Sequence, residues 1–465
     1  MTEPISRSSE VSYPLLASVL VATALVGTVA NVSVTVATSG IADEFGVSLQ
    51  SVAVAVLSMN ISMAFVMPLA GMIAGRIGLR ETLITSGVVL IISTVVLMLA
   101  DNLLWLTIGR LGQGAGLAGT TPTAVQAAGR LLDKERRSRA LGWWSAANGA
   151  GLAIGPVAGG TLLDLGGWQL VPLPTVFIAG SIVVTALLGV PARVKQSSSF
   201  PLQGVVLLSL MAGTTVATLS ALSNSAWVVA SATGCALIAL AVTAGWRNRK
   251  NGAFPMHWLQ DVLVRRSSTG ASMQMFANGL VQVTVPAWLI STSTTSAGVA
   301  GIVLLAMTVT MTVMGPFTGA RSYIPYSRWF HYGLILCAAG LFGLAWASGP
   351  GPWWIAFPLL LVTGLGAGSL LTPSFNTFTG TIAGGEGVGI AMYNVLRLSF
   401  FAIGGLVGAA AVGTGYTWAA FLAGGIICLL IATRATLSER VSGIIDAEAS
   451  RVGPSKPALG DDGQE

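Results

Sequence analysis

Long apolar stretches, separated by short polar segments, fill almost the whole chain. A helix that crosses a membrane needs about 20 mostly apolar residues, so each stretch predicts one spanning α-helix. The sequence is therefore that of an all-α polytopic membrane protein with fourteen predicted spans, an even number that puts both ends on one side. The spans are predicted at residues 13–37, 49–73, 82–100, 103–129, 139–163, 169–190, 202–221, 226–246, 268–290, 296–318, 329–347, 353–377, 387–411 and 416–433.

The positions of the basic residues orient these spans. Short loops that remain in the cytoplasm collect Lys and Arg. Apart from Arg110 and Arg397, every Lys and Arg falls in a terminal tail or in a connection that follows an even-numbered span, with Arg139 at the boundary between such a connection and span 5. This asymmetry predicts a multi-pass protein of the cytoplasmic (inner) membrane with both termini in the cytoplasm.

Composition narrows the class of function. The chain is 53% hydrophobic and only 9% charged, and nearly all of its basic residues lie in the connections and tails, so the net charge of +6 does not indicate a nucleic-acid partner, and we expect none. An embedded enzyme or metal centre needs clustered ionisable side chains, but the only two histidines, His257 and His331, are far apart. No GxxxxGK[ST] phosphate-binding loop is present. We expect no enzyme activity, no metal, no cofactor and no direct use of ATP.

The connection after span 2 is rich in glycine and arginine, and it contains Gly71, Arg76, Gly78 and Arg80. Glycine permits a tight turn, and an arginine can bond the exposed carbonyl groups at a helix end. The segment predicts a tight turn between two helices on the cytoplasmic side.

Span 4 contains a charged residue within its apolar length, in the segment Arg110-Leu-Gly-Gln113-Gly114. A charge at the bilayer centre costs about 2.5–3.5 kcal/mol, so Arg110 is expected to face a cavity or a partner. Span 5 contains glycines spaced for close helix packing, with a proline that removes one helical hydrogen bond. These residues are Gly151, Gly155, Pro156, Gly159 and Gly160.

In order, spacing and topology, the three motifs resemble those of the major facilitator superfamily. The turn is similar to its G-x-x-x-D-R-x-G-x-R pattern, span 4 to its embedded R-x-x-Q-G, and span 5 to its antiporter motif G-x-x-x-G-P-x-x-G-G. Fourteen spans resemble the drug:proton antiporter branch. The resemblance implies that Arg76 and Arg80 help to lock a cytoplasmic gate, that Arg110 takes part in coupling, and that Gly151 to Gly160 form an inter-domain hinge face.

The resemblance also implies the major facilitator fold, with two six-helix bundles that rock around a central cavity and two extra helices between them. The predicted organisation has six parts. They are a cytoplasmic tail (1–12), the N-terminal bundle (13–190), two inserted helices (191–246), a cytoplasmic linker with an amphipathic stretch (247–267), the C-terminal bundle (268–433) and a disordered cytoplasmic tail (434–465).

Two departures concern acidic groups. Gly75 stands where the gate motif usually has an Asp, and Ala30 stands where span 1 of the family has its acidic residue. None of the 17 acidic residues falls in the middle of a predicted span. The candidate titratable groups for proton coupling are therefore Asp43, Glu44 and Asp164, at the outer side.

Uncharged polar side chains supply further candidates for a substrate cavity, because exposing them to lipid costs free energy. Tyr393, Asn394 and Arg397 share one face of span 13, since they are three or four residues apart. A polar stripe in span 9 and single residues in spans 1, 2 and 4 complete the set. These are Gln274, Asn278 and Gln282 in span 9, Asn31, Asn60 and Gln113.

The leading interpretation is a monomeric secondary transporter, surrounded by membrane lipids, that exports small amphipathic or drug-like compounds in exchange for protons. One alternative is a carrier of a specific anionic metabolite or lipid-like product, whose anionic group would face Arg110 and Arg397. Against this, each arginine can instead bond helix carbonyls, amides or water. A second alternative is a non-transporting membrane sensor or scaffold.

Overall fold

The structure is a computed structural model that describes residues 12–192, 202–223, 227–251, 261–292, 297–382 and 387–451. Within these ranges all regular structure is helical, which confirms the all-α prediction. Two short 3-10 helices, Trp168–Leu170 and Trp353–Ile355, accompany fifteen α-helices. The α-helices are α1 (Tyr13–Val36), α2 (Thr38–Phe45), α3 (Leu49–Ile77), α4 (Leu79–Met98), α5 (Leu103–Leu131), α6 (Lys134–Gly166), α7 (Leu173–Gly189), α8 (Leu202–Ser223), α9 (Trp227–Asn251), α10 (Val262–Thr292), α11 (Ala297–Ala320), α12 (Tyr326–Ala347), α13 (Ala356–Thr381), α14 (Gly387–Thr414) and α15 (Thr417–Arg451).

Apart from α2, these helices follow the predicted spans in order. Ten described helices are long and apolar enough to cross a membrane, which confirms the multi-pass character. The other four long helices, α5, α6, α9 and α10, do not reach that hydropathy over a sufficient length. Helices α5 and α10 contain several buried polar side chains, and α6 begins with a charged turn. The count of fourteen spans and the orientation of the termini stay predictions.

Three segments differ from the sequence analysis or lie outside the described part of the chain. Helix α2 occupies the outer connection between spans 1 and 2, where no element was predicted. Helix α15 continues to Arg451, so the predicted disordered tail is helical up to that residue, as its many good helix formers favour. Most of the predicted amphipathic stretch (252–260) and residues 452–465 are not described.

The helices pack as two groups joined by a third. Helices α1 and α3 to α7 contact one another and form the N-terminal bundle, and α10 to α15 form the C-terminal bundle. Helix α8 packs on both bundles through α3 and α14, and α9 packs on α8. We call the helix ends beside the basic connections the inner ends, since the sequence predicts the cytoplasm there.

The two bundles meet near their inner ends, where α6 contacts α11 and α13, and α3 contacts α14. Glycines allow this approach. A Cβ atom on Gly71 would clash with the backbone carbonyl of Gly387, and a Cβ atom on Gly142 would lie 2.8 Å from the carbonyl oxygen of Gly315. We call this contact the inner seam. Its backbones touch, so no passage separates the bundles there.

Candidate functional site

Arg110 is fully buried inside the N-terminal bundle, with 0% of its side chain exposed. Its Nη1 donates to the carbonyl oxygen of Ala30 at 2.8 Å and to Oε1 of Gln113 at 3.0 Å. Its Nε donates to the carbonyl oxygen of Val56 at 3.2 Å. Gln113 in turn donates to the hydroxyl of Thr94 at 3.0 Å. The guanidinium therefore ties α5 to α1 and α3.

This geometry agrees with the interpretation in which Arg110 bonds helix carbonyls. Ala30 is the position at which the family resemblance places an acid, and here its backbone carbonyl accepts from the arginine instead. Only Nη2 of Arg110 is buried without a partner among the described residues. Helices α3 and α5 pack closely near the Arg110 guanidinium, because a Cβ atom on Gly114 would clash with the backbone of Met59.

Arg397 has a different environment, between the two bundles. Its Nη1 donates to Oδ1 of Asn394 at 3.3 Å, and its Nε is buried without a partner in the described structure. The guanidinium carbon lies 5.7 Å from the ring centre of Trp144, 5.9 Å from Phe375 and 6.0 Å from Tyr393. These distances are within the range of cation–π attraction. Arg397 forms no ion pair with a described residue and retains 5% exposure.

The aromatic rings around Arg397 come from three helices. Trp144 belongs to α6 of the N-terminal bundle, whereas Phe375 and Tyr393 belong to α13 and α14 of the C-terminal bundle. The ring centres of Trp144 and Phe375 are 5.0 Å apart, as are those of Phe375 and Tyr393. We call Trp144, Phe375, Tyr393 and Arg397 the seam cage. Helical spacing predicted that Tyr393, Asn394 and Arg397 share a face, but it missed Trp144 and Phe375, which are ordinary apolar residues in sequence.

The two arginines lie at different depths. At about 1.5 Å per residue, Arg110 is about 10 Å along α5 from its outer end, and Arg397 is about 15 Å along α14 from its inner end. Arg110 is enclosed in one bundle and Arg397 faces the junction of both. They do not share one site.

The polar stripe of α10 is buried as predicted. Gln274 has 0% exposure, and both of its side-chain polar atoms are without a partner among the described residues. Asn278 accepts a hydrogen bond of 2.7 Å from Gln282. The backbones of α10 and α14 touch where Gly279 meets Phe401, about one turn above Gln274 and Arg397. Gln274 and Arg397 are thus at similar depths on neighbouring helices.

The other two uncharged candidates lie in the N-terminal bundle. Asn31 in α1 and Asn60 in α3 are both half-buried. The Oδ1 atom of Asn60 is buried without a partner in the described part of the chain. Asn60 therefore has an acceptor that no described donor satisfies.

A hydrogen-bonded cluster that the sequence analysis did not predict closes the inner seam below the cage. Nε of Arg137 donates to Oδ1 of Asn376 at 3.3 Å, and Nδ2 of Asn376 donates to Oγ of Ser138 at 3.4 Å. Oγ of Ser138 donates to the carbonyl oxygen of Gly319 at 2.8 Å. We call these four residues the seam latch. Partial burial lowers the pKa of the Arg137 guanidinium.

The turn motif after span 2 forms as predicted. Helix α3 ends at Ile77, Gly78 has φ 121°, and α4 begins at Leu79. Arg76 is exposed and Arg80 half-buried, and neither bonds a described helix carbonyl. A residue that sequence reasoning missed is Glu81, whose side chain covers Gly78 and whose Oε2 is buried without a described partner.

The glycines of span 5 do not form the predicted inter-domain face. A Cβ atom on Gly151 would clash with the hydroxyl of Thr28, and one on Gly159 would lie 2.8 Å from the carbonyl oxygen of Ser33. Both contacts, like that of Gly155 with α1, lie within the N-terminal bundle. Gly160 faces open space, and the side chain of Pro156 is not described. The inter-domain contacts of α6 use residues nearer its inner end.

The three outer carboxylates are exposed at the protein surface. Glu44 in α2 accepts hydrogen bonds from Nε1 of Trp168 at 2.8 Å and from Nε2 of Gln169 at 2.9 Å. These contacts fasten α2 over the outer end of the N-terminal bundle. Asp43 and Asp164 are solvent-facing, so in this conformation none of the three lines the interior.

Comparisons with known proteins concern the family and the fold of the chain. The family model of the Major Facilitator Superfamily matches residues 19–250. The chain is 25% identical over 338 residues to a putative multidrug resistance protein MdtD of Enterobacter sp. (strain 638), covering 70% of each chain. It is 27% identical over 404 residues to a multidrug resistance protein B homolog of Mycobacterium tuberculosis (strain ATCC 25618 / H37Rv), covering 81% of this chain and 73% of that one.

A similar fold occurs in the solved structure of the major facilitator superfamily proton:xylose symporter XylE. The TM-score is 0.67 at 14% identity, covering 90% of this chain and 94% of the symporter. At this identity the likeness concerns the fold alone.

Proposed function

Since this chain belongs to the major facilitator superfamily, we propose that it is a secondary transporter that exports small amphipathic or drug-like compounds across the cytoplasmic membrane. The observation that carries the proposal is the seam cage, a buried and incompletely hydrogen-bonded group of aromatic and polar side chains at the junction of two bundles. Sites of this kind lie near the middle of transporters, where the two halves rock. The relatives named for multidrug resistance support the substrate class.

The closed inner seam supports a transport cycle of alternating access. Backbone contacts at Gly71 and Gly142 and the hydrogen bonds of the seam latch hold the inner ends together. Reversible separation of these contacts would open the cage to the cytoplasm. We place the chain in the inner membrane as a monomer, with both termini in the cytoplasm.

We further propose that protons drive the export. The group that carries the proton is not a mid-helix carboxylate, because the described acidic side chains lie at helix ends or in connections. Among them Glu81 has a buried oxygen at the inner turn and is the first candidate to substitute.

Two alternative functions were predicted from the sequence, an anion carrier and a non-transporting sensor or scaffold. The carrier of a specific anion now depends on Arg397 alone, since Arg110 bonds the carbonyls of Ala30 and Val56. A sensor or scaffold would bind a ligand at the seam cage without moving it across the membrane.

The test is transport of rhodamine 123, an aromatic cation, and fluorescein, an aromatic carboxylate, by purified protein in proteoliposomes with an imposed pH gradient. Movement of either dye that a protonophore abolishes supports a proton-coupled exporter. Movement that the protonophore leaves unchanged overturns proton coupling. Binding of a dye with no movement under any gradient favours the sensor or scaffold.

A further inference from the structure

The seam cage contains hydrogen-bond donors that lack acceptors. Nε of Arg397, the hydroxyl of Tyr393 and Nε1 of Trp144 are each buried without a partner among the described residues. All three side chains are at most 5% exposed. The amide oxygen next to Arg397 on its own helix, Oδ1 of Asn394, already accepts from Arg397. Arginine and tryptophan side chains can only donate, so the cage as it stands needs an acceptor.

The positive charge of the seam cage also indicates that an acceptor is needed there. A guanidinium inside a membrane protein is costly unless an anion, a carbonyl or water compensates it. Arg110 has two carbonyls and an amide for this purpose, whereas Arg397 has one amide at 3.3 Å and no described carboxylate. A cationic ligand beside Arg397 would meet the uncompensated positive charge of the guanidinium.

The rings define the shape of the ligand. Trp144, Phe375 and Tyr393 surround the guanidinium with their ring centres within 6.0 Å of it. Aromatic faces and edges favour contact with flat apolar groups. A planar hydrophobic body that ends in a carboxylate would satisfy the rings and the donors together.

We propose that the seam cage is an anion subsite and that compounds exported by this protein include planar amphipathic carboxylates, bound through Arg397 and Tyr393. The inference rests on the proposed transport function and narrows its substrate class. The carboxylate accepts from Nε of Arg397 and from the hydroxyl of Tyr393. Trp144 covers the aromatic body from the opposite bundle.

The subsite is assembled from both bundles, so ligand binding and seam closure are linked. Trp144 is in the same helix as the latch residue Ser138, and Phe375 directly precedes the latch residue Asn376. Separation of the inner ends would carry Trp144 away from Arg397. A ligand that contacts both bundles therefore favours the closed seam, since it binds that state more tightly.

The experiment measures equilibrium binding of fluorescein and rhodamine 123 to the purified full chain by fluorescence polarisation. Arg397→Gln is expected to weaken fluorescein binding by about 10- to 100-fold, because a charged hydrogen bond is lost. Arg397→Lys is expected to recover part of this loss, and Tyr393→Phe to weaken fluorescein binding by about 5-fold. Asn376→Ala, which removes a latch contact and none to the dye, is expected to weaken it as well.

The matched control is Arg328→Gln, which removes an exposed arginine at the inner end of α12 and is expected to leave both dyes bound as in the wild type. Rhodamine 123 affinity and the melting temperature report whether each variant is folded. The proposal is overturned if wild type does not bind fluorescein, or if Arg397→Gln binds it as tightly as wild type does.

Binding and transport measured together distinguish a failure of the proposed transport function from a failure of the anion subsite. Fluorescein binding that depends on Arg397, with no dye moved in proteoliposomes, retains the anion subsite and rejects the transporter. Gradient-driven movement of rhodamine 123 without fluorescein binding retains the transporter and rejects the subsite.

Discussion

At the scale of single residues, Arg110 and Arg397 have the same chemistry but different roles, because their surroundings differ. Arg110 donates to the carbonyls of Ala30 and Val56 and to Gln113, and it has no exposed surface. Arg397 donates to one amide and faces the junction of two bundles. The first arginine holds three helices of one bundle together. The second is available to a ligand.

We predict that Arg110→Gln destabilises the protein by about 2–4 kcal/mol, because it removes charged hydrogen bonds that join α5 to α1 and α3 and leaves space in a packed interior. Thermal unfolding in detergent measures the change. Transport of the two dyes by the surviving folded protein is expected to fall to the same extent for both.

Arg397→Gln is the comparison for this variant, since it replaces a buried arginine whose described hydrogen bond stays within its own helix. A wild-type melting temperature for Arg110→Gln, together with a selective loss of fluorescein transport, would contradict the structural role. Arg110 would then be a substrate residue.

Part of the candidate site could be predicted from sequence. Spacings of three and four residues place Tyr393, Asn394 and Arg397 on one helix face, and a charged residue in an apolar run is visible without a structure. Trp144 and Phe375 could not be found in this way, because each is an ordinary apolar residue on its own helix. Only the packing of α6 against α13 brings them to Arg397.

At the scale of helices, hydropathy predicted the long elements well, since ten of the described helices are apolar over a sufficient length. Helix α2 was missed because it is only eight residues long and lies in a polar connection. Glycines of the span 5 motif pack closely, as predicted, but they pack on α1 of the same bundle and not on the other bundle. Glycine spacing predicts a flat helix face and carries no information on which neighbour fills it.

Glycine contacts at the inner seam lead to a prediction about opening. Gly71→Ala adds a Cβ atom that clashes with the backbone carbonyl of Gly387, so α3 and α14 must move apart. We expect a cysteine at Ala391, which is fully buried against Met67 and Ala118, to react about 10-fold faster with a soluble maleimide in this variant. That factor equals about 1.4 kcal/mol in the opening equilibrium.

The matched control is Gly160→Ala, because a Cβ atom on this helical glycine would meet nothing within 4 Å. Both variants are made in a chain whose three native cysteines, Cys235, Cys337 and Cys428, are replaced by alanine. Equal labelling rates in Gly71→Ala and Gly160→Ala would show that the Gly71 contact does not hold the seam closed.

At the scale of the whole molecule, α8 lies across the junction of the bundles. Its residues Ala212 and Val216 pack in one cluster with Ala64 of α3 and Val395 of α14, and its Val205 packs in another with Met72 of α3 and Val388 of α14. Helix α8 packs along more of α3 than of α14. A helix in contact with both bundles must slide on one of them when they rock. The packing favours movement of α8 with the N-terminal bundle.

This leads to a prediction with opposite results for two cross-links in the cysteine-free chain. A disulfide between Ala64→Cys and Ala212→Cys joins α8 to the bundle it follows, so dye transport is expected to continue. A disulfide between Val205→Cys and Val388→Cys joins α8 to α14 across the sliding contact, so transport is expected to stop and to return on reduction. If both cross-links stop transport, α8 is not carried by either bundle. If only the first stops it, α8 moves with the C-terminal bundle, and the larger contact with α3 is the one that slides.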